Sequence, residues 1–221
     1  MKVDSDIIIV GGGLSGSLMA IAAANIGLST IVLDSKENDG RADNCFDGRS
    51  YALALSSVRL LKNLNIFADI IDKSQPILNI KILDGKLVQG PSQFTLHFDN
   101  NEIDDGPMGL MVEDRFIRKA LFSNITKNKQ IDYKFNSKVI EYKKQSGYIS
   151  VTLNTGKKFN TTLLVGADGK NSELAKRAKI KKSGWKYNQI ALVCAIEHEI
   201  AHKGVAWQYF LPSGPLAVLP M

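Results

Sequence analysis

The chain has 221 residues, of which 44% are hydrophobic and 23% charged, which argues against a disordered or fibrous polypeptide and suits one large domain, or one domain with part of a second. The formal net charge of +6 and a pI near 9.2 favour anionic partners such as a phosphate-bearing cofactor or an acidic lipid surface. They do not make a nucleic-acid surface, because the densest basic cluster (Lys176, Arg177, Lys179, Lys181, Lys182) is short and lacks interleaved aromatics.

From Ile7 to Leu33 no side chain is charged. A hydropathy window would read this stretch as a membrane span or signal peptide, but Asp4 and Asp6 precede it where a signal peptide wants cations. Gly11, Gly12, Gly13 and Gly16 interrupt it, and its two ends are β-branched runs of strand length. It reads as strand, turn, helix and strand, with Gly27 ending the helix. No other segment is apolar and long enough to span a membrane. Residues 36–48 read as a polar loop and 50–64 as a helix, with Leu53, Leu60, Leu61 and Leu64 at helical spacing. Strands are expected at 77–83 and 94–98, around a loop at Gly90 and Pro91, and a helix at 113–125. Three further strands follow at 131–142, 149–153 and 158–163, with turns at Ser146–Gly147 and Thr155–Gly156. Residues 163–166 read as a buried strand, followed by Asp168–Gly169 and a short helix from Ser172; residues 190–220 read as sheet. The chain stops at Met221, directly after Val218, Leu219 and Pro220, and so reads as truncated.

Gly11-Gly12-Gly13-Leu14-Ser15-Gly16 fits G-x-G-x-x-G. Gly11 permits the tight turn out of the strand, Gly13 lets a pyrophosphate approach the backbone, and Gly16 lets the helix pack closely. The pyrophosphate then meets free N–H groups and the helix dipole. Asp34 closes the second strand, where an acid accepts hydrogen bonds from ribose hydroxyls and disfavours a 2′-phosphate. The strand, helix and terminal acid around the glycines lift the motif above a chance glycine-rich turn. An NAD dehydrogenase would continue at once with further βαβ units. Here Asp47-Gly48-Arg49-Ser50-Tyr51-Ala52-Leu53 follows instead, then a late meander and Gly166-Ala167-Asp168-Gly169-Lys170-Asn171-Ser172.

These two segments resemble the D-x-R-x-x-A-L and G-A-D-G-x-x-S signatures of flavin-dependent aromatic hydroxylases of the para-hydroxybenzoate hydroxylase type. Trp185 to Gln189, His202 to Trp207, and Pro212 to Pro220 resemble, more narrowly, the ubiquinone-biosynthesis hydroxylases, of the 2-octaprenyl-6-methoxyphenol hydroxylase kind. The resemblance implies an α/β fold: a discontinuous Rossmann-like FAD-binding domain (1–76 and 107–184) with an incomplete, sheet-rich substrate-binding region (77–106 and 185–221). It implies FAD as cofactor, held by Gly11, Gly12, Gly13, Leu14, Ser15 and Gly16, with Asp34 at the adenosine ribose. Arg49 then lies beside the phosphates, Asp168 near the pyrophosphate and ribityl chain, and the Val139 backbone at adenine. NAD(P)H is the implied reductant, and the implied reaction is oxygen-dependent hydroxylation of a polyprenylated phenol, with no catalytic side chain nominated. A related enzyme acting on another aromatic or lipid substrate, or an inactive FAD-binding fragment, are the alternatives. Partners would be the prenylated phenol and, peripherally, a membrane or lipid-synthesis complex; nucleic acid would not be one. The place would be the cytoplasm or the inner face of a membrane.

There are departures from the family pattern. Ala175 stands where relatives often carry arginine, Asp114 stands near a position of Arg or Gln, and a Gly-Asp motif of the family's second half is absent. His198-Glu199-Ile200-Ala201-His202 matches H-E-x-x-H, but the flanks do not support the helix that zinc binding at this spacing needs, so no metal is expected. Cys45 and Cys194 are far apart, in no disulfide or metal pattern, and suit a reducing compartment.

Overall fold

The computed structural model describes residues 3–37, 46–86, 88–102, 104 and 106–221. Cys45 and most of the expected 36–48 loop lie outside the described residues. In chain order the elements are β1 (Ser5–Val10), α1 (Leu14–Asn25), β2 (Thr30–Leu33), β3 (Ser50–Ala54), α2 (Leu55–Asn63), β4 (Ser74–Ile77), β5 (Asn79–Lys86), β6 (Gly90–Asp99) and β7 (Gly109–Glu113). Then come α3 (Asp114–Lys127), β8 (Ile131–Lys134), β9 (Val139–Gln145), β10 (Tyr148–Leu153), β11 (Lys158–Gly166), α4 (Glu173–Arg177), β12 (Val205–Leu211) and β13 (Gly214–Val218). The chain separates into two compact units, Met1–Asp43 with Arg118–Ala191 and Asn44–Ile117 with Leu192–Met221.

The first unit is built on a six-stranded sheet in the order β8-β2-β1-β11-β10-β9. β1 lies parallel to both β2 and β11, and β2 parallel to β8, while β9 and β10 complete the sheet as an antiparallel hairpin. Ile7 to Val10 and Thr30 to Leu33 are buried throughout, as strands covered on both faces must be. One face packs Ile7, Ile9 and Val32 with Ala20 and Ala23 of α1; the other packs Ile8, Ile31, Leu33, Val151 and Leu153. The small residues of α1 let it lie close to the sheet. It ends at Gly27, whose φ of +85° allows the left-handed residue that accepts the chain's exit.

The second unit has two sheets, β13-β12-β5-β6 and β3-β7-β4. Ile77, Met111 and Ala206 form its buried apolar centre. β12 pairs in parallel with β5, so the late strand joins the 79–99 hairpin in one sheet. This unit also takes in 44–76 and 107–117, which the sequence boundaries group with the other one.

Several expectations are corrected. Ser50–Ala54 is not the start of a helix: its backbone pairs with β7, and α2 begins only at Leu55. The 131–142 run is two strands, because Asn136 takes a φ of +51° and turns the chain, sending β8 and β9 to opposite edges of the sheet. β4 and β7 had no anticipated counterpart. Gly90 and Pro91 open β6 rather than forming a loop. Residues 190–203 form no strand, and Ile190, Leu192 and Val193 are exposed; sheet resumes only at Val205.

Candidate functional site

The C-terminal ends of β2, β1 and β11 stand side by side, and each carries one sequence motif. Val10 pairs with Leu33 on one flank and with Gly166 on the other. Asp34 follows β2, the glycine turn follows β1, and Ala167–Asp168 follows β11. This is the edge where open parallel sheets bind their ligands. The motifs are stitched together by backbone bonds: Gly11 N donates to Leu33 O at 2.8 Å, and Ala167 N to Val10 O at 2.8 Å.

The glycines divide by what would meet a side chain. At Gly11, with φ +101°, a Cβ would fall 2.3 Å from Ala167 O. At Gly16 it would fall 1.9 Å from Gly11 O, so the helix presses directly on the turn. Gly13 differs. Its φ of −69° and ψ of −172° suit any residue, and no heavy atom lies within 4 Å of the Cβ position. Neither backbone nor packing asks for glycine there; the open space in front of it does. Leu14 and Ser15 follow as the first residues of α1, which has no side-chain cap and no acidic residue in its first turn. Among the described residues, no acceptor meets the N–H groups of Gly13, Leu14 or Ser15. Free donors at the positive end of a helix dipole make an anion site. Arg118 and Phe122 of α3 line the same hollow, with Gly12, Gly13, Leu14 and Tyr133. Arg118, Phe122 and Tyr133 were not anticipated from the sequence.

Asp34 is buried. Its Oδ2 accepts the Gly12 N–H at 3.1 Å and the Tyr133 hydroxyl at 2.9 Å, and its Oδ1 accepts the Lys36 N–H at 2.9 Å. The carboxylate thus braces the turn from beneath. Its backbone carbonyl accepts Ser137 N–H at 2.7 Å. Val139, two residues later, opens β9 from a segment already tied to the end of β2.

Asp168 sits after β11 with Oδ2 accepting Leu174 N–H at 3.1 Å. Its Oδ1 is buried and, among the described residues, meets no hydrogen-bond donor. Burial pushes its pKa up, but bonding from Ser172 and from the N–H groups opening α4 outweighs this and holds it below the ordinary carboxylate value. A carboxylate with a depressed folded pKa contributes stability at neutral pH, and that contribution is lost as pH falls through the folded pKa. Asp168→Asn should therefore be less stable than the parent at pH 7, with the gap closing below about pH 4, near the unfolded aspartate value. Urea unfolding of both proteins across that range checks this; a gap independent of pH would contradict it.

Arg49 belongs to the second unit. Its guanidinium bonds Asp47 and lies 3.2 Å from Asp114 Oδ2. Asp114 is buried, and its Oδ1 accepts the Tyr51 hydroxyl at 2.7 Å. Bonding to Asp47, helped by the Asp114 charge, raises the Arg49 pKa although burial opposes it. The carboxylate of Asp114 is therefore engaged by Arg49 and Tyr51.

The H-E-x-x-H segment is not helical, so its two histidines lack the one-face spacing that a zinc site of this pattern requires. His202 instead accepts the Gly204 N–H at 3.0 Å, in the turn that leads into β12.

The chain is 36% identical over 217 residues to a protein named ubiquinone hydroxylase UbiL from Rhodospirillum rubrum, covering 98% of this chain and 49% of that protein. It is 29% identical over 233 residues to the mitochondrial ubiquinone biosynthesis monooxygenase COQ6 of Rattus norvegicus, covering 98% and 48%. The chain thus spans about half the length of the curated relatives it matches. Among solved structures, PqsL of P. aeruginosa in complex with 2-aminobenzoylacetate shares the fold, with a TM-score of 0.73 at 16% identity, over 94% of this chain and 55% of that one. The resemblance to ubiquinone hydroxylases drawn from the motifs is borne out by these relatives. The model of the FAD binding domain matches residues 4–221, and the chain belongs to that family.

Proposed function

We propose that the first unit holds FAD and that the protein is a flavin-dependent monooxygenase hydroxylating a polyprenylated phenol in ubiquinone synthesis. The observation that carries the FAD site is Gly13: open space at its Cβ position, directly before the N–H groups of an uncapped helix. The residues present fit the cofactor. Gly11, Gly12, Gly13, Leu14, Ser15 and Gly16 form the pyrophosphate cradle, and Asp34 lies at the ribose end. The 136–139 segment, ending in Val139, lies on the adenine side. Asp168, in the turn after β11, lies on the ribityl side of the cradle. FAD, when bound, supplies the redox chemistry, with electrons from NAD(P)H and oxygen as co-substrate. The protein binds, orients and keeps water from the reacting centre, and no side chain is assigned a catalytic role.

The second unit serves as the substrate-binding region. On β6, Phe94, Leu96 and Phe98 alternate along one face and are exposed, an apolar surface suited to a ring with a prenyl chain. The relatives named for ubiquinone synthesis support that substrate class. We place the protein in the cytoplasm, with peripheral association at a membrane or lipid-synthesis complex. Among the described residues no helix is long and apolar enough to cross a membrane, and a net charge of +6 favours anionic lipid.

The test is to purify the protein as expressed from its own reading frame, release any flavin with acid, and titrate the apoprotein with FAD. Bound FAD and NAD(P)H-dependent hydroxylation of a prenylated phenol are the expected results. A protein that carries no flavin and binds none would end the reading; equal turnover of a soluble phenol would end only its substrate part.

A further inference from the structure

We propose that Tyr133 is a positioning residue for the dinucleotide turn, acting through Gly12 and Asp34; this rests on the FAD reading of that turn. The fingerprint leaves the position between its first two glycines open to any residue. Here that position is Gly12, and Tyr133 with Asp34 accounts for it. A Cβ on Gly12 would fall 1.8 Å from the Tyr133 hydroxyl oxygen, 2.5 Å from Cζ and 2.6 Å from Asp34 Oδ2, yet Gly12 has no positive φ to demand glycine.

Tyr133 reaches the turn from β8, where it stands in register with Val32 of β2. Its hydroxyl lies 2.9 Å from Asp34 Oδ2 and 3.2 Å from Gly12 O. A phenol has one proton to donate, and the shorter contact to the charged carboxylate takes it. The same Oδ2 accepts Gly12 N–H at 3.1 Å, so phenol and amide meet on one carboxylate oxygen. The ring is seated by Phe122, edge-on at 6.2 Å, and by Phe135 at 4.7 Å.

The consequence for the ligand follows from peptide planarity. The Gly12 carbonyl is held on its side by the Ser17 hydroxyl, which donates to it at 3.2 Å, while Asp34, oriented by the phenol, holds the N–H of the same residue. In a trans peptide the next N–H points the opposite way. Fixing Gly12 O therefore aims the Gly13 N–H away from Tyr133, toward the open space before α1. The phenol acts on this residue through Asp34, and Ser17 completes the hold on its carbonyl.

The experiment compares wild type, Tyr133→Phe and Phe135→Leu in FAD titration and in apoprotein melting. Tyr133→Phe removes the hydroxyl and keeps the ring; Phe135→Leu loosens the same aromatic group and keeps the hydroxyl. Tyr133→Phe should weaken FAD binding about tenfold, while Phe135→Leu melts lower but binds FAD within about twofold of wild type. If affinity follows melting temperature equally in both variants, or Tyr133→Phe binds like wild type, the proposal is overturned. If wild type itself binds no FAD, the site reading fails instead. Gly12→Ala with Tyr133→Leu gives an independent check should Tyr133→Phe fail to fold. Gly12→Ala alone should lower the melting temperature of the apoprotein, and removing the phenol in that background should recover part of the loss, the approach to Asp34 Oδ2 accounting for the rest; no recovery overturns the contact on which the proposal stands.

Discussion

Gly13→Val should abolish FAD binding and leave the fold in place. The backbone at Gly13, φ −69° and ψ −172°, lies in extended space that valine favours. The Cβ would meet no heavy atom within 4 Å beyond its chain neighbours, which leaves room for the branch. The folded chain therefore loses only the modest preference for glycine over a branched residue before a helix, about 1 kcal/mol. For a protein of this size that lowers the melting temperature by about 2–4 °C. The ligand meets a different situation. Two methyl groups would stand in front of the N–H groups of Gly13, Leu14 and Ser15, where the pyrophosphate must approach closely. The expected loss of affinity is at least about 100-fold. Fluorescence titration with FAD, alongside melting of the apoprotein, checks both halves. Wild-type affinity in a folded Gly13→Val protein would mean that the cofactor does not sit on this turn.

How much of this site the sequence discloses depends on the distance over which each part is specified. The glycine turn, its helix and Asp34 lie within one βαβ stretch, so spacing alone reveals them. The Asp168 turn is legible from its motif, and its place beside the glycine turn follows once β11 is recognised as the neighbour of β1. Tyr133 is not legible in that way. Its partner Asp34 is 99 residues away, and their meeting requires β8 to lie beside β2. A continuous strand at 131–142 hides this, because the break comes from a single left-handed residue, Asn136. Strand β3 is misread for a related reason. Leu53 shares helical spacing with Leu60 and Leu64, and only the presence of β7 gives Ser50–Ala54 a backbone partner. The 190–203 segment shows the converse. Its apolar residues have strand character, but no strand pairs with it among the described residues, and propensity without a partner makes no sheet.

Gly11→Ala should fail where Gly13→Val succeeds, and the contrast separates the turn's architecture from its ligand. Gly11 has φ +101°, outside the space of ordinary L-residues, and holding alanine there costs on the order of 1–3 kcal/mol. The new methyl would also stand 2.3 Å from Ala167 O and 2.9 Å from the Asp168 Cα. Neither neighbour can withdraw easily. Ala167 N is bonded to Val10 O at 2.8 Å, and Gly11 N to Leu33 O at 2.8 Å, so both sides of the contact are anchored in the parallel strands. Overpacking against fixed backbone adds about 1–3 kcal/mol. Together the penalties approach 4 kcal/mol, a drop in melting temperature of about 10 °C. Since the turn carries the proposed pyrophosphate donors, FAD affinity should fall with stability in this variant. Differential scanning calorimetry of apo and FAD-saturated protein measures both. A Gly11→Ala protein that melts within about 2 °C of wild type would show that the 167–168 turn yields, and that the two motifs are less tightly joined than their hydrogen bonds imply.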